Sequence, residues 1–126
     1  MFPEKDLHGC TALVTGGALR IGRSICLALA EAGVNVVVHY RSSAREADLL
    51  VEEIEGLGVD SCALQADFRE DNSCCGLIDE TLSRKGGLDF LINSAAVFHK
   101  DSFATLNAEK MRAEMMVNLE APTLLT

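Results

Sequence analysis

The chain has 126 residues and carries 19 acidic against 11 basic side chains, a net charge of −8. That balance argues against non-specific nucleic-acid binding, which rests on neutralising phosphates with Lys and Arg. At 48% hydrophobic and 24% charged it reads as one globular domain, without an apolar run near the roughly 18 residues of a membrane span.

Residues 1–6 lack the basic-then-apolar order of a signal peptide. Five cysteines at positions 10, 26, 62, 74 and 75 form no C-x-x-C, and the odd count favours reduced thiols in a cytoplasmic protein. Residues 10–15 predict a first strand. Ile21, Ile25, Leu29 and Ala32 recur at helical spacing, and Gly33 ends that segment. The valine-rich residues 34–40 predict a second, buried strand. Ser43-Ala44-Arg45-Glu46 has the form of a capping box opening a second helix, with Ala47, Leu50, Val51 and Ile54 on its apolar face and a stop at Gly56 or Gly58. Residues 59–66 predict a third strand, and Asp71 a cap for a third helix bearing Leu77, Ile78 and Leu82. Gly86-Gly87 breaks that helix, residues 88–93 predict a fourth strand, and a last helix follows from about Asn107.

Strands that alternate with helices and are apolar almost throughout imply a parallel sheet covered on both faces. The expected fold class is α/β, a doubly wound parallel sheet, with ligands at the carboxyl ends of the strands. Residues 1–126 read as one domain. Four strands are fewer than such folds usually have, and residues 120–126 are apolar with no glycine cap. We therefore expect the N-terminal part of a longer chain, truncated after about four strands.

The first strand runs into Thr15-Gly16-Gly17-Ala18-Leu19-Arg20-Ile21-Gly22. Gly17-x4-Gly22-Arg23-Ser24 approximates a P-loop, but a planar guanidinium is a poor substitute for its compact lysine ammonium. As a dinucleotide loop, Gly16 permits a tight turn, Gly22 lets the helix approach the sheet, and the helix N-terminus offers unpaired N–H groups to a pyrophosphate. The second strand distinguishes cofactors. A carboxylate there would hold the ribose 2′-OH of NAD. Instead His39-Tyr40 runs into Arg41-Ser42, with no acid until Glu46. Arg41 and Ser42, with Arg20 reaching across from the first loop, suit a 2′-phosphate, which arginine binds bidentately. The cofactor so implied is NADP(H).

Thr15-Gly16-x3-Arg20-Ile21-Gly22 resembles the T-G-x3-G-x-G loop of the short-chain dehydrogenase/reductase family, with Arg20 at the middle glycine. Ala66-Asp67-Phe68 is similar to that family's adenine contact. Asn93-Ser94-Ala95-Ala96 resembles its N-N-A-G, keeping Asn93 and Ala95. Val117-Asn118-Leu119 resembles the segment carrying the catalytic asparagine of its proton relay. Pro122 adds a physical reason, since it lacks an N–H and frees the carbonyl of Asn118. Met111, Met115, Asn118 and Pro122 share a helical face, so a buried Asn118 side chain is expected to need partners.

The resemblance implies an oxidoreductase that binds NADP(H) through Gly16, Arg20, Ile21, Gly22, Tyr40, Arg41, Ser42, Asp67, Phe68, Asn93 and Ala95. It leans toward pteridine reductases, which also carry an arginine in the glycine loop and a related His-Tyr-Arg-Ser segment. Phe98 then falls where an aromatic side chain would stack on the substrate. A dihydropteridine is one implied substrate; a 3-oxoacyl or sugar-type carbonyl compound is the alternative. The family's Ser and Tyr-x-x-x-Lys are expected past residue 126, so these residues alone are expected to show no useful turnover. A homodimer or homotetramer is also implied. No metal site is expected, because His8, His39 and His99 show no ligand spacing with the cysteines. A non-catalytic dinucleotide-binding module remains the alternative to an enzyme.

Overall fold

Four strands lie side by side, all parallel, in the order β3-β2-β1-β4: β1 is Thr11–Val14, β2 Asn35–Tyr40, β3 Ser61–Gln65 and β4 Phe90–Ile92. The computed structural model describes residues 6–126. The reading of residues 1–5 as unlike a leader therefore lies outside the described residues. Between the strands run α1 (Arg20–Glu31), α2 (Ala44–Glu55) and α3 (Ser73–Lys85). After β4 come α4 (Ala108–Met115), a π-helical turn (Met116–Glu120) and α5 (Ala121–Leu125). No helix among the described residues is long and apolar enough to cross a membrane.

The central strands β1 and β2 are buried on both sides, which explains why they read as apolar runs, whereas β4 at the edge is half-buried. Val14, Val36 and Val38 point to one side and meet Cys26 and Ala30 of α1 and Ala47, Leu50 and Ile54 of α2. Leu13, Val37 and Leu64 point to the other and meet Leu77 of α3 and Val117, Ala121 and Leu125. Two-residue side-chain alternation thus divides one continuous valine run between two cores.

Three local expectations are corrected. Ser43 precedes α2, but its side chain makes no capping bond; its carbonyl accepts from the N–H of Ala47. The residue before α3 is Asn72, not Asp71, and it takes a left-handed backbone (φ 61°) that asparagine tolerates better than most residues. The last helix begins as expected, with Asn107 Oδ1 accepting from the Lys110 N–H at 3.0 Å, but it is not continuous. Across Met116–Glu120 the ladder widens, so the N–H of Ala121 reaches the carbonyl of Met116. Pro122 has no N–H to continue an α-helical ladder, and a π turn one residue earlier absorbs the mismatch.

Leu13, fully buried in the centre of the sheet, is expected to cost about 2–5 kcal/mol of unfolding free energy when changed to alanine. Leu49→Ala, on the exposed side of α2, is expected to change it by less than about 0.5 kcal/mol. Urea denaturation of the two variants checks the difference.

Candidate functional site

The carboxyl ends of β1, β2 and β3 and the segment after β4 meet around the turn that leaves β1. That turn is too crowded for ordinary side chains. Gly16 has φ +61°, and a Cβ there would lie 2.8 Å from Ala95 Cα. A Cβ on Gly22 would lie 2.1 Å from the Gly16 carbonyl oxygen. Glycine at 16 brings two loops into backbone contact, and glycine at 22 seats α1 against the turn.

Arg20 starts α1 with φ +52°, a left-handed conformation costing an ordinary residue about 1–2 kcal/mol. Leu19 before it supplies no side-chain cap, and the first turn of α1 holds no acidic residue. The N–H groups that open α1 are therefore left to whatever occupies the cleft of about 360 Å³ lined by Arg20, Ile21, Gly22 and Ser94.

Two polar side chains fasten the loops together. Thr15 Oγ1, almost fully buried, accepts from the N–H groups of Ser94 and Ala95 at 3.0 Å each. His39 Nδ1 accepts from the Gly16 N–H at 3.0 Å. A backbone N–H can only donate, so the ring proton sits on Nε2, which donates to the Ala66 carbonyl at 3.0 Å. Phe68 stacks on this ring, centroids 4.4 Å apart and planes within 15°. Burial pushes the His39 pKa below its ordinary value, against the opposing influence of the Ala66 carbonyl and the Asp67 charge.

A second cleft, of about 170 Å³, is lined by His39, Arg41, Asp67, Phe68 and Ala95, and it shares Gly16 and Ala96 with the first. Arg41 is exposed at the end of β2, its carbonyl accepting from Gln65 Nε2 at 3.1 Å. Asp67 is already engaged. Arg69 Nε donates to its two oxygens at 2.9 and 3.2 Å, and Arg69 Nη2 also pairs with Oδ2. The Arg69 hydrogen bond, with a smaller contribution from the Arg41 charge, lowers the Asp67 pKa to about 2.

The structure thus brings Gly16, Arg41, Asp67, Phe68 and Ala95 into one cleft, and Gly16, Arg20, Ile21 and Gly22 into the adjoining one. It places others elsewhere. Tyr40 packs on the α1/α2 side of the sheet. Ser42 and Asn93 are exposed and line neither cleft. Phe98 is 85% exposed and lines a separate hollow with Asp101 and Lys110. Asn118 is exposed rather than buried, yet its amide is fully used: Oδ1 accepts from the Val97 N–H at 2.8 Å and Nδ2 donates to the Val97 carbonyl at 2.7 Å. Pairing the main chain on both sides of one residue, it clamps the segment after β4 to the π turn. Sequence reasoning assigned no role to His39 as a support. Its signal was a polar residue between the valine run and the tyrosine that ends the strand.

A family profile for short chain dehydrogenases matches residues 10–126. The 3-oxoacyl-(acyl-carrier-protein) reductase FabG of Staphylococcus aureus is 47% identical over 87 residues, covering 69% of this chain and 35% of that protein. A short chain dehydrogenase from Burkholderia cenocepacia, solved in complex with NADP, superposes with a TM-score of 0.92 at 36% identity, covering 96% of this chain and 49% of that one. FolM alternative dihydrofolate reductase 1 from Brucella canis, complexed with NADP, gives 0.88 at 32% identity, over 95% and 47%. The chain spans about a third of the curated relative and about half of each solved chain.

Crowding at the turn makes glycine positions unequal. Gly22→Ala is expected to lose about 1–3 kcal/mol of stability, since the clash is with backbone that cannot yield. Gly76→Ala, in α3 with nothing within 4 Å of the new methyl, is expected to gain about 0.5–1 kcal/mol. Paired urea titrations followed by circular dichroism read both signs.

Proposed function

The chain belongs to the short-chain dehydrogenase family, and from that premise we propose that it forms the NADP(H)-binding portion of an oxidoreductase. The observation that carries the reading is the end of β2. No acid follows the strand until Glu46, Arg41 stands at its end instead, and Arg41 lines the same cleft as Gly16 and Asp67.

The residues present fit such a cofactor. Gly16 and Gly22 leave a cradle that a Cβ would fill, and the first N–H groups of α1 lie uncapped beside it. In this reading the pyrophosphate lies over Arg20, Ile21 and Gly22, and Arg41 with Ser42 takes the 2′-phosphate. Adenine lies toward Asp67 and Phe68, and the nicotinamide end lies toward Asn93 and Ala95. Tyr40 supports the strand end from the opposite face. Arg69 neutralises Asp67, so its carboxylate does not repel a phosphate held at Arg41.

The bound nicotinamide supplies the hydride. Asn118 holds the Val97 main chain in place, and in this reading it is also the relay asparagine. A carbonyl compound or a dihydropteridine is the substrate class, and the relatives straddle the two: a 3-oxoacyl reductase and an alternative dihydrofolate reductase. Phe98, exposed on the loop after β4, is available to stack on a planar substrate. Met111, Met115 and Leu119, each about half exposed along α4 and the π turn, support a homo-oligomer formed through that helix.

Calorimetric titration of the complete protein with NADP⁺ and NAD⁺ tests the cofactor. Charge-assisted hydrogen bonds to a 2′-phosphate contribute about 1.5–3 kcal/mol, so NADP⁺ is expected to bind at least about tenfold more tightly than NAD⁺. Arg41→Ala is expected to lose most of that preference while leaving NAD⁺ affinity nearly unchanged. Equal affinity of the wild type for both nucleotides would overturn the reading.

A further inference from the structure

His39 differs from the other two histidines in the chain. His8 and His99 are exposed, whereas His39 is 3% exposed and has both ring nitrogens committed to backbone groups. Those groups lie in different loops. Gly16 belongs to the turn after β1, Ala66 to the segment after β3, and both wall the cleft assigned above to the nucleotide. The main chain of His39 adds a third tie, its carbonyl accepting from the Gly17 N–H at 2.9 Å.

Only one protonation state satisfies this arrangement. Nδ1 must offer a lone pair to Gly16, and Nε2 must offer a proton to Ala66. An imidazolium would keep the Ala66 bond but would turn a second N–H toward the Gly16 N–H, donor against donor. Gly16 is also packed closely on Ala95, since a methyl group on it would stand 2.8 Å from Ala95 Cα.

The groups around the ring have mixed charge. From the β3 end, Asp67 favours the imidazolium, but Arg69 pairs with it. From the β2 end, the cation of Arg41 lines the same cleft. Arg20, in the first loop, lines the adjoining cleft. Phe68, Ala95, Val97 and Val117 contribute only apolar surface. Burial outweighs the Ala66 hydrogen bond and the attraction of Asp67, so the ring holds its extra proton less readily than an ordinary histidine.

We propose that His39 is a positioning residue for the nucleotide: its neutral ring holds the Gly16 turn in the shape that receives the pyrophosphate, and proton uptake by the ring releases the turn and the nucleotide together. This rests on the reading of the cleft as an NADP(H) site. The sign follows from linkage. The open turn binds the proton better than the closed one, so affinity is full near neutrality and falls with acidification below the ordinary histidine value of about 6.5. With a single proton coupled, the loss is at most about tenfold per pH unit, and it ceases once the closed turn also takes up the proton.

The test compares three proteins by calorimetry with NADP⁺ between pH 8 and pH 5. His39→Asn keeps an acceptor near the Nδ1 position and cannot charge. His39→Gln keeps a donor near the Nε2 position and loses the acceptor. Because the nucleotide's own phosphate titrates near pH 6, only differences between proteins with the same ligand count. His39→Asn is expected to bind within about threefold of wild type at pH 8 and to lose about tenfold less affinity than wild type by pH 5. His39→Gln is expected to bind several-fold more weakly than wild type at pH 8. Parallel pH profiles for wild type and His39→Asn, or equal affinities of the two variants at pH 8, would overturn the proposal. An NMR titration of the ligand-free wild type separates this from the cofactor reading. The Gly16 amide resonance should shift with the same midpoint as the His39 ring, and a Gly16 amide that stays still while the ring titrates would overturn the strut. Failure of wild type to bind NADP⁺ at pH 8 would instead overturn the cofactor assignment.

Discussion

A parallel sheet leaves the carboxyl ends of its strands with backbone groups that the ladder no longer pairs, and the loops that follow must satisfy them without filling the space above. This chain does so with two short buried side chains. Thr15 takes the N–H groups of Ser94 and Ala95, joining the β1 turn to the segment after β4. His39 takes the N–H of Gly16 and gives its own proton to Ala66, joining the same turn to the segment after β3. With both in place the turn cannot collapse into the cleft. Gly16 then has to be glycine, because the fastening draws its Cα onto Ala95.

Charge is arranged on the same principle of local pairing. The chain as a whole is strongly acidic, yet the lips of the two clefts carry Arg20 and Arg41. The carboxylate that lines the cleft with Arg41, Asp67, is held ionised by Arg69. A neutralised aspartate can still accept a hydrogen bond on its remaining lone pairs without opposing an anion at Arg41. The net charge of −8 therefore says nothing against a phosphate ligand at this one place. The field that matters is set within a few ångströms, because salt screens exposed charges at longer range.

The last helix shows how one sequence constraint serves two ends. Pro122 forbids a regular α ladder, and the chain widens to a π turn across Met116–Glu120. The turn carries Asn118, whose amide grips Val97 by both its N–H and its carbonyl. It also turns Val117 inward to the core shared with Leu13 and Leu77. The irregularity fixes the segment after β4 against the helix, so the two clefts have a firm third wall.

Much of this was legible in the amino-acid order, because the relevant forces are short-ranged and periodic. Alternation of apolar runs with 3.6-residue patterns dictated strands, helices and a sheet covered on both faces. Gly16 and Gly22 marked the turn, and Arg41 in place of an acid marked the character of the β2 end. What the order of residues left open were choices of partner among polar groups, some adjacent and some far apart in the chain. Ser43 and Asp71 have the chemistry of helix caps, but the backbone gave one no side-chain bond and passed the other over for Asn72. Tyr40 and His39 are neighbours, and only the pleat sends His39 to the cleft and Tyr40 to the opposite core. Asn118 looked like a buried amide and is an exposed clamp, because its partners are the two backbone groups of a residue 21 positions away. Asp67 was expected to face a nucleotide, and Arg69 had already claimed it. Local pattern determined which elements form; the tertiary structure alone decided which polar groups meet, since a hydrogen bond depends on position in space and leaves no periodic trace along the chain.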